Sequence, residues 1–232
     1  MLNIRSLLLI GFFCFSIGSQ VSAQTFRPGI IMGLTTSQVG GDGFQGFNKL
    51  GLTFGGFVRY NLNDKWSTQF EIYYMQKGSR NDFSITTNDP TQSSEYFLMR
   101  LNYVEIPLLF RLNHRRFIYE IGPYYSRLIG FNFEWRNDYG SSAGPFTDVD
   151  DFNSHYNFQH PLKESDWGFI LGIAYKINPK VVGALRLGQG VMAIKKHESG
   201  AVDPYPTSLN YGWTNTVISG TFRITFGEGD DR

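Results

Sequence analysis

Cysteine is almost absent from this chain of 232 residues. The one cysteine, Cys14, lies in an apolar stretch near the N-terminus, and residues 24–232 contain none. A chain without thiols cannot form disulfides, thiolate metal sites or a cysteine nucleophile. These chemistries are therefore excluded for residues 24–232.

Long apolar runs and an excess of charge are also missing. Beyond residue 23 no stretch of 18 consecutive apolar residues occurs, so the sequence predicts no membrane-spanning helix. The 21 basic residues nearly balance the 20 acidic ones, which gives no electrostatic footprint for nucleic acid. The chain is instead rich in aromatic residues (16%) and has 26 glycines, a composition typical of strands and close barrel packing.

The N-terminus has the layout of a secretory signal. Arg5 precedes an apolar run over residues 7–17, and Val21, Ser22 and Ala23 form a small-residue cleavage site. This run is too short for a spanning helix, which needs roughly 20 residues. We expect a signal peptide over residues 1–23 and one β-barrel domain over residues 24–232.

Residues 103–125 predict a β-hairpin with one apolar face. Five apolar residues of its first strand share one side: Val104, Ile106, Leu108, Phe110 and Leu112. Leu109 is the apolar exception on the other side. The opposite side carries Glu105 and Arg111, and the alternation resumes after residues 113–116. Because about 9–11 residues span a bilayer as a tilted strand, apolar-out and polar-in alternation of this length indicates a transmembrane barrel.

The same alternation occurs in eight segments: residues 26–38, 50–61, 66–77, 96–112, 117–132, 166–177, 181–193 and 209–226. Connections after the even segments are tight, whereas those after the odd segments are long, and outer-membrane barrels combine short periplasmic turns with long extracellular loops. The sequence therefore predicts an all-β fold, an eight-stranded antiparallel transmembrane β-barrel in the outer membrane with both termini in the periplasm. A soluble barrel of eight strands would show the opposite polarity on its two faces.

Two irregularities interrupt the pattern. Over residues 97–101 the apolar phase slips by one residue, which predicts a β-bulge at that point. Pro107 and Pro123 cannot donate to a ladder and predict one shared distortion in the hairpin. Trp66 is expected at the inner rim of the membrane, with Trp167 and Trp213 at the outer rim.

Nine charged residues fall on the inward face of the predicted strands: Arg27, Arg59, Glu71, Lys77, Glu105, Arg111, Glu120, Arg186 and Arg223. A barrel of eight strands has room inside for side chains and little more. We expect these residues to form a paired, hydrogen-bonded network that plugs the lumen. A proton pathway or a narrow solute channel along them is the alternative.

Two stretches resemble a known family. The sequence NYVEIPLLFRL at residues 102–112 and GFVRYNLNDKWSTQFEIYYMQKGS at residues 56–79 are similar to the PorT-type outer-membrane β-barrel proteins of Bacteroidetes. The resemblance extends over nearly all of residues 24–232. It implies outer-membrane lipid and lipopolysaccharide as surroundings, other envelope proteins as partners, and a link to type IX protein secretion through some members. It implies no catalytic motif and no cofactor.

Residues 133–165 form the longest predicted loop and are rich in aromatic residues. Connections of this length usually have a function, and aromatic side chains dominate the energetics of interfaces. We expect the loop to be at least partly ordered and to contact a partner protein. The candidate contact residues are Trp135, Tyr139, Phe146, Phe152 and Tyr156.

Metal binding and catalysis remain alternatives in the loops. Potential metal ligands in the longest loop are Asp148, Asp150, Asp151, His155 and His160, although their spacing matches no standard ligand pattern. His197, Ser199 and Asp203 are residue types of an enzyme that acts on lipid or peptide, but nothing marks an activated nucleophile. We therefore expect a structural or interaction component of the cell envelope, with no enzymatic activity, metal or cofactor.

Overall fold

The computed structural model describes residues 26–42, 46–83, 95–137, 142–156, 161–196 and 212–226. Its elements are β1 (Phe26–Gly40), β2 (Lys49–Asn61), β3 (Trp66–Phe83), β4 (Glu95–His114), β5 (Phe117–Asn137), β6 (Ser142–Phe146), α1 (Val149–Tyr156), β7 (Ser165–Lys176), β8 (Val181–Gly190), β9 (Lys195–Lys196) and β10 (Gly212–Thr225). The expected signal peptide lies outside the described residues and stays a prediction.

Eight long strands close into a ring. Each pairs antiparallel with its neighbours in the order β1, β2, β3, β4, β5, β7, β8, β10, and β10 pairs with β1 from Gly29 opposite Thr225 to Gly40 opposite Thr214. The two short strands are additions at the outer end, where β6 pairs with β5 and β9 pairs with β10. The predicted eight-stranded antiparallel barrel is confirmed.

Tight turns join the strands at the periplasmic end. The side-chain oxygen of Asn63 accepts hydrogen bonds from the backbone N–H groups of Lys65 and Trp66, both at 2.9 Å. Asn178 makes the same arrangement before β8, with Lys180 at 2.9 Å and Val181 at 2.8 Å. Such local bonds make asparagine suited to turns, and they fix the short connections that the sequence predicts.

An apolar band surrounds the barrel. Along β7 exposed and buried residues alternate strictly, and its outward side carries Trp167, Phe169, Leu171, Ile173 and Tyr175. Aromatic residues mark both edges of the band eight positions apart on three strands: Trp66 and Tyr74 on β3, Phe117 and Tyr125 on β5, and Trp167 and Tyr175 on β7. This spacing matches the about 9–11 residues with which a strand spans a bilayer.

Three strands continue beyond the outer edge of the band. Residues 75–83 of β3, 95–103 of β4 and 126–137 of β5 project together, which is nine residues on β3 and β4 and twelve on β5, or about 30–40 Å of strand length. We call these parts, together with β6 and α1, the extracellular platform. Its inner side is an apolar core that also includes Val39, Leu162 and Ile194. Most of the predicted loop of residues 133–165 is thus ordered.

The predicted bulge over residues 97–101 is wrong. On β4 the inward phase does not slip, because Phe97, Met99, Leu101 and Tyr103 are all buried in step with Glu105. The extra residue is Ile129 on β5, where the register with β4 shifts between Asn102 and Tyr103. The inward residues of β4 are polar within the membrane and apolar above it. In the sequence this change of residue type looks the same as a shift of the alternation by one residue. Pro107 pairs with Tyr124, the neighbour of Pro123, so the two prolines lie side by side as expected.

Candidate functional site

Glu120 is the centre of the charge network in the periplasmic half of the lumen. Its Oε1 atom accepts hydrogen bonds from Arg111 Nε at 3.0 Å and Arg223 Nη1 at 2.5 Å. Its Oε2 atom accepts one from Arg186 Nε at 2.9 Å. All four side chains are buried. One carboxylate therefore holds three guanidinium groups that come from β4, β8 and β10.

A second carboxylate extends this network to β3. Both terminal nitrogens of Arg186 donate to the two oxygens of Glu71 at 2.7 Å, a bidentate geometry that belongs to the stronger class of ion pairs. Gln69 connects the two halves, since its oxygen accepts from Arg111 Nη1 at 2.7 Å and its nitrogen donates to Glu71. Five of the eight barrel strands are linked in this way.

Positive charge is in excess at this end of the lumen. Among the described residues the buried arginines are Arg59, Arg111, Arg186 and Arg223, against the buried glutamates Glu71 and Glu120. Arg59 lies directly opposite Arg27 in the pairing of β1 and β2. The Nε and Nη2 atoms of Arg223 have no hydrogen-bond partner within the described part of the chain. A cation that enters from the periplasm therefore meets repulsion as well as a packed interior.

A second ionic cluster lies higher in the lumen. Lys77 Nζ pairs with Glu105 at 2.5 Å and with Asp166 at 3.0 Å, and it also lies over the rings of Tyr124 (4.4 Å) and Tyr103 (5.0 Å). Further hydrogen bonds to the two carboxylates come from Tyr73, Ser126 and Asn215. The sequence predicted an inward Lys77 and Glu105 but missed Asp166, because it stands at the very start of its segment.

Little space remains between the two clusters. The cavity there has about 10 Å³, and its lining includes Tyr73, Ile170, Val217 and Arg186. This is about the volume that one water molecule requires. Eight of the nine charged residues predicted for the lumen lie buried inside the barrel, and Arg27 is half-buried. Glu71, Arg111, Glu120, Arg186 and Arg223 form one connected cluster, while Lys77 and Glu105 belong to the other.

The extracellular platform contains the aromatic residues predicted for partner contact. Phe152 of α1 does not face solvent: it is 1% exposed and packs on Phe133 (4.7 Å between ring centroids), Phe131 (5.2 Å) and Phe146 (5.9 Å). The assignment of Phe152 to a contact surface is therefore corrected, because the helix turns this ring into the platform core. Trp135 and Phe146 are half-buried at the edge of the same core. Tyr139 and the side chain of Tyr156 lie outside the described residues.

Asp148, one of the acidic residues near α1, has a structural role. Asp148 caps the helix, because its Oδ1 accepts hydrogen bonds from the backbone N–H groups of Asp150 (2.8 Å) and Asp151 (3.2 Å). Asn153 then ties the helix to the backbone of Leu162 through two hydrogen bonds of 2.8 and 3.3 Å.

No group of three or more histidine, cysteine or acidic side chains is placed to hold a metal within the described ranges. His160, and the possible catalytic residues His197, Ser199 and Asp203, lie outside these ranges. No helix in the described part of the chain is long and apolar enough to cross a membrane.

Comparison with known proteins gives one family and several solved structures. Residues 18–196 match the family described as outer membrane protein beta-barrel domain. No curated protein is significantly similar in sequence.

Among solved structures the chain is similar to Ail, the attachment invasion locus protein of Yersinia pestis (12% identity, 87% of this chain and 99% of that chain, TM-score 0.44), which is also known in complex with the heparin analogue sucrose octasulfate. It is similar as well to Neisserial surface protein A (12% identity, 87% and 97%, TM-score 0.42) and to OprG from Pseudomonas aeruginosa (13% identity, 87% and 94%, TM-score 0.36).

Proposed function

The chain belongs to the outer membrane protein beta-barrel domain family, and from this premise we propose that it is an interaction component of the outer membrane rather than a channel or an enzyme. Its location in the outer membrane follows from the family and agrees with the apolar band and aromatic edges of the barrel.

The extracellular platform is the observation that carries the proposal. Three strands extend beyond the lipid-facing band, and α1 and β6 complete a core of their own above the barrel. A connection that only joins two strands needs no such core, whereas a preorganised surface loses less conformational entropy when a partner binds. Trp135 and Phe146, half-buried on the platform, are residue types that anchor interfaces.

The interior of the barrel supports the same choice. Two buried ionic clusters and a cavity of about 10 Å³ between them favour a plugged lumen over a solute channel. A metalloenzyme would need a cluster of metal ligands, and no group of three or more histidine, cysteine or acidic side chains is placed to hold a metal within the described residues. Binding a partner protein requires only a surface that is complementary to it.

The partner is proposed from the resemblance of residues 56–79 and 102–112 to PorT-type proteins of Bacteroidetes. That resemblance favours another envelope protein, in an assembly such as the type IX secretion apparatus, as the occupant of the platform. Outer-membrane lipid and lipopolysaccharide surround the band below it. The proposed role requires no nucleic acid and no cofactor.

Affinity purification from native outer membranes tests the proposal. The wild-type chain is compared with a variant in which residues 142–156 are replaced by a short Gly/Ser linker, and with Trp135→Ala. Lys180→Ala, in a periplasmic turn, is the matched control. Heat-dependent migration on gels reports whether each barrel is folded. We expect partner recovery to fall at least about tenfold for both platform variants and to stay unchanged for the control.

Retention of every partner by a folded platform variant contradicts the proposal. If no form recovers a partner, and the wild type turns over a lipid or peptide that the His197→Ala variant cannot, the enzyme alternative replaces it.

A further inference from the structure

A pocket bordered by basic side chains lies at the periplasmic edge of the lipid-facing band. It has a volume of about 720 Å³, and its lining consists of His114, Arg115, Arg116, Phe117 and Tyr175. All five side chains are exposed. The rings of Phe117 and Tyr175, which mark the inner edge of the band, pack edge to face with 5.4 Å between their centroids. This rim pocket therefore lies at the boundary between lipid and periplasm, at the level of the lipid headgroups.

The two arginines of the rim pocket come from the turn between β4 and β5. Arg116 Nη1 donates a hydrogen bond to the hydroxyl of Tyr175 at 3.1 Å, which holds the guanidinium group at the edge of the pocket. Because an arginine has five N–H donors, most of them are left for a ligand. Neither Arg115 nor Arg116 forms an ion pair within the described part of the chain. An anion in the pocket would therefore meet two guanidinium groups without having to displace a carboxylate.

The tight turns at this end of the barrel carry an excess of positive charge. The turns of residues 62–65, 115–116 and 177–180 contain four basic residues and one acidic residue: Lys65, Arg115, Arg116 and Lys180 against Asp64. Basic residues at a membrane surface attract anionic lipid headgroups. The rim pocket thus lies in a region whose overall charge also favours an anionic ligand.

An apolar groove runs from the rim pocket toward the membrane centre. Its first part, of about 340 Å³, shares Phe117 and Tyr175 with the pocket and continues along Ile173 and Leu185. Gly183 belongs to the lining of this part and has no side chain to fill it. A second part of about 430 Å³ also borders Ile173 and Leu185 and lies further into the band. Two positive charges at the end of a continuous apolar groove match an amphipathic anion whose chain lies in the membrane.

We propose that Arg115 and Arg116 bind the phosphate group of an anionic phospholipid in the periplasmic leaflet, with one acyl chain of this lipid in the apolar groove. The planar donors of the two guanidinium groups suit the phosphate oxygens. The hydroxyl of Tyr175 accepts from Arg116 and can donate its own proton to the same phosphate. A zwitterionic lipid fits less well, because its ammonium group would lie close to the arginines. The site is at the opposite end of the barrel from the extracellular platform and is independent of any partner there.

Native mass spectrometry of the detergent-solubilised, folded protein tests the site. Dioleoyl phosphatidylglycerol is titrated into wild type and into the double variant Arg115→Asn/Arg116→Gln. Asparagine suits position 115, because φ is 54° there and asparagine tolerates left-handed backbone. The matched control is Lys65→Gln, an exposed basic residue of the same rim that does not line the pocket. We expect the double variant to bind at least about tenfold more weakly and the control to stay within about twofold of wild type. Dioleoyl phosphatidylcholine should bind wild type about as weakly as phosphatidylglycerol binds the double variant.

Gly183→Leu tests the groove while both arginines are intact. The new Cβ atom would stand 3.6 Å from Ile177, which is an ordinary contact, so the barrel should still fold. The leucine side chain occupies the first part of the groove and displaces the acyl chain. Since each buried methylene group accounts for about fourfold in affinity, we expect phosphatidylglycerol to bind this variant at least about fourfold more weakly.

Several outcomes contradict the proposal. Wild-type affinity in the folded double variant removes the site, and an equal loss in Lys65→Gln reduces it to general attraction by the charge of the rim. Displacement of phosphatidylglycerol by inorganic phosphate at equal concentration indicates a site for free anions rather than for a lipid. Unchanged binding in Gly183→Leu removes the acyl chain from the groove. Heat-dependent migration on gels shows in each case that the variant is folded.

Discussion

Glu120 is the residue on which the pairing of the lumen charges most depends. It accepts hydrogen bonds from Arg111, Arg186 and Arg223, so its charge is shared among three buried guanidinium groups. Removal of one partner from a buried ion pair leaves the other charge uncompensated, which is far more costly than the net gain from forming the pair. The other carboxylate, Glu71, is already engaged by Arg186 in a bidentate pair.

We predict that Glu120→Gln lowers the free energy of unfolding by about 3–5 kcal/mol, because three arginines then remain with one nearby carboxylate. Urea titration of the chain refolded into lipid vesicles measures the change. Thr68→Ala, on the outward side of β3, is the control and should stay within about 0.5 kcal/mol of wild type. Equal stability of the Glu120 and Thr68 variants would show that the network does not hold the barrel together.

The inward positions of the charged residues were predictable from the sequence, whereas their pairing was not. Period-two alternation alone puts Arg59, Glu71 and Glu120 on one face of their strands. Which of them meet depends on the stagger of strands around the closed barrel, which the sequence pattern does not contain. Arg186 and Glu71, for example, are 115 positions apart in the chain.

At the scale of elements, the extracellular platform is the part whose structure was predicted least accurately from the sequence. Within the membrane, apolar residues face outward and polar residues inward, but above it the rule reverses because water replaces lipid outside the strands. The buried residues Phe97, Met99 and Leu101 therefore looked like a slip of phase, although β4 continues unchanged. Alternation in the sequence shows that the two faces of a strand differ in polarity. Whether lipid or water lies outside the strand decides which of these faces is buried.

We predict that Phe152→Ala disrupts the extracellular platform and leaves the barrel intact. Loss of a buried phenylalanine ring typically costs about 3–5 kcal/mol, and here the ring packs on the platform residues Phe131, Phe133 and Phe146. Hydrogen exchange of residues 142–156 should become much faster, while heat-dependent gel migration of the barrel stays as in wild type. Ser154→Ala, exposed on the same helix, is expected to leave exchange unchanged. Unchanged exchange in the Phe152 variant would mean that this ring does not hold the helix in place.

At the scale of the whole molecule, three environments follow one another along the barrel axis. The periplasmic half of the lumen holds an arginine-rich network, the upper lumen holds the cluster around Lys77, and the extracellular platform closes the outer end with an apolar core. The eight-stranded fold and its outer-membrane location were predictable because the alternation and the loop lengths repeat along the entire chain. The closure of the outer end was not, since it depends on contacts between segments far apart in sequence.

A closed lumen is the property on which the proposed interaction role depends most, and ion conductance across planar lipid bilayers measures it directly. Because the ionic clusters and the platform core occupy the interior, purified wild-type protein that has inserted as a folded barrel should produce no sustained conductance steps above the lipid background. Reproducible steps of fixed size from the folded wild-type protein would contradict a plugged barrel and favour the narrow solute channel.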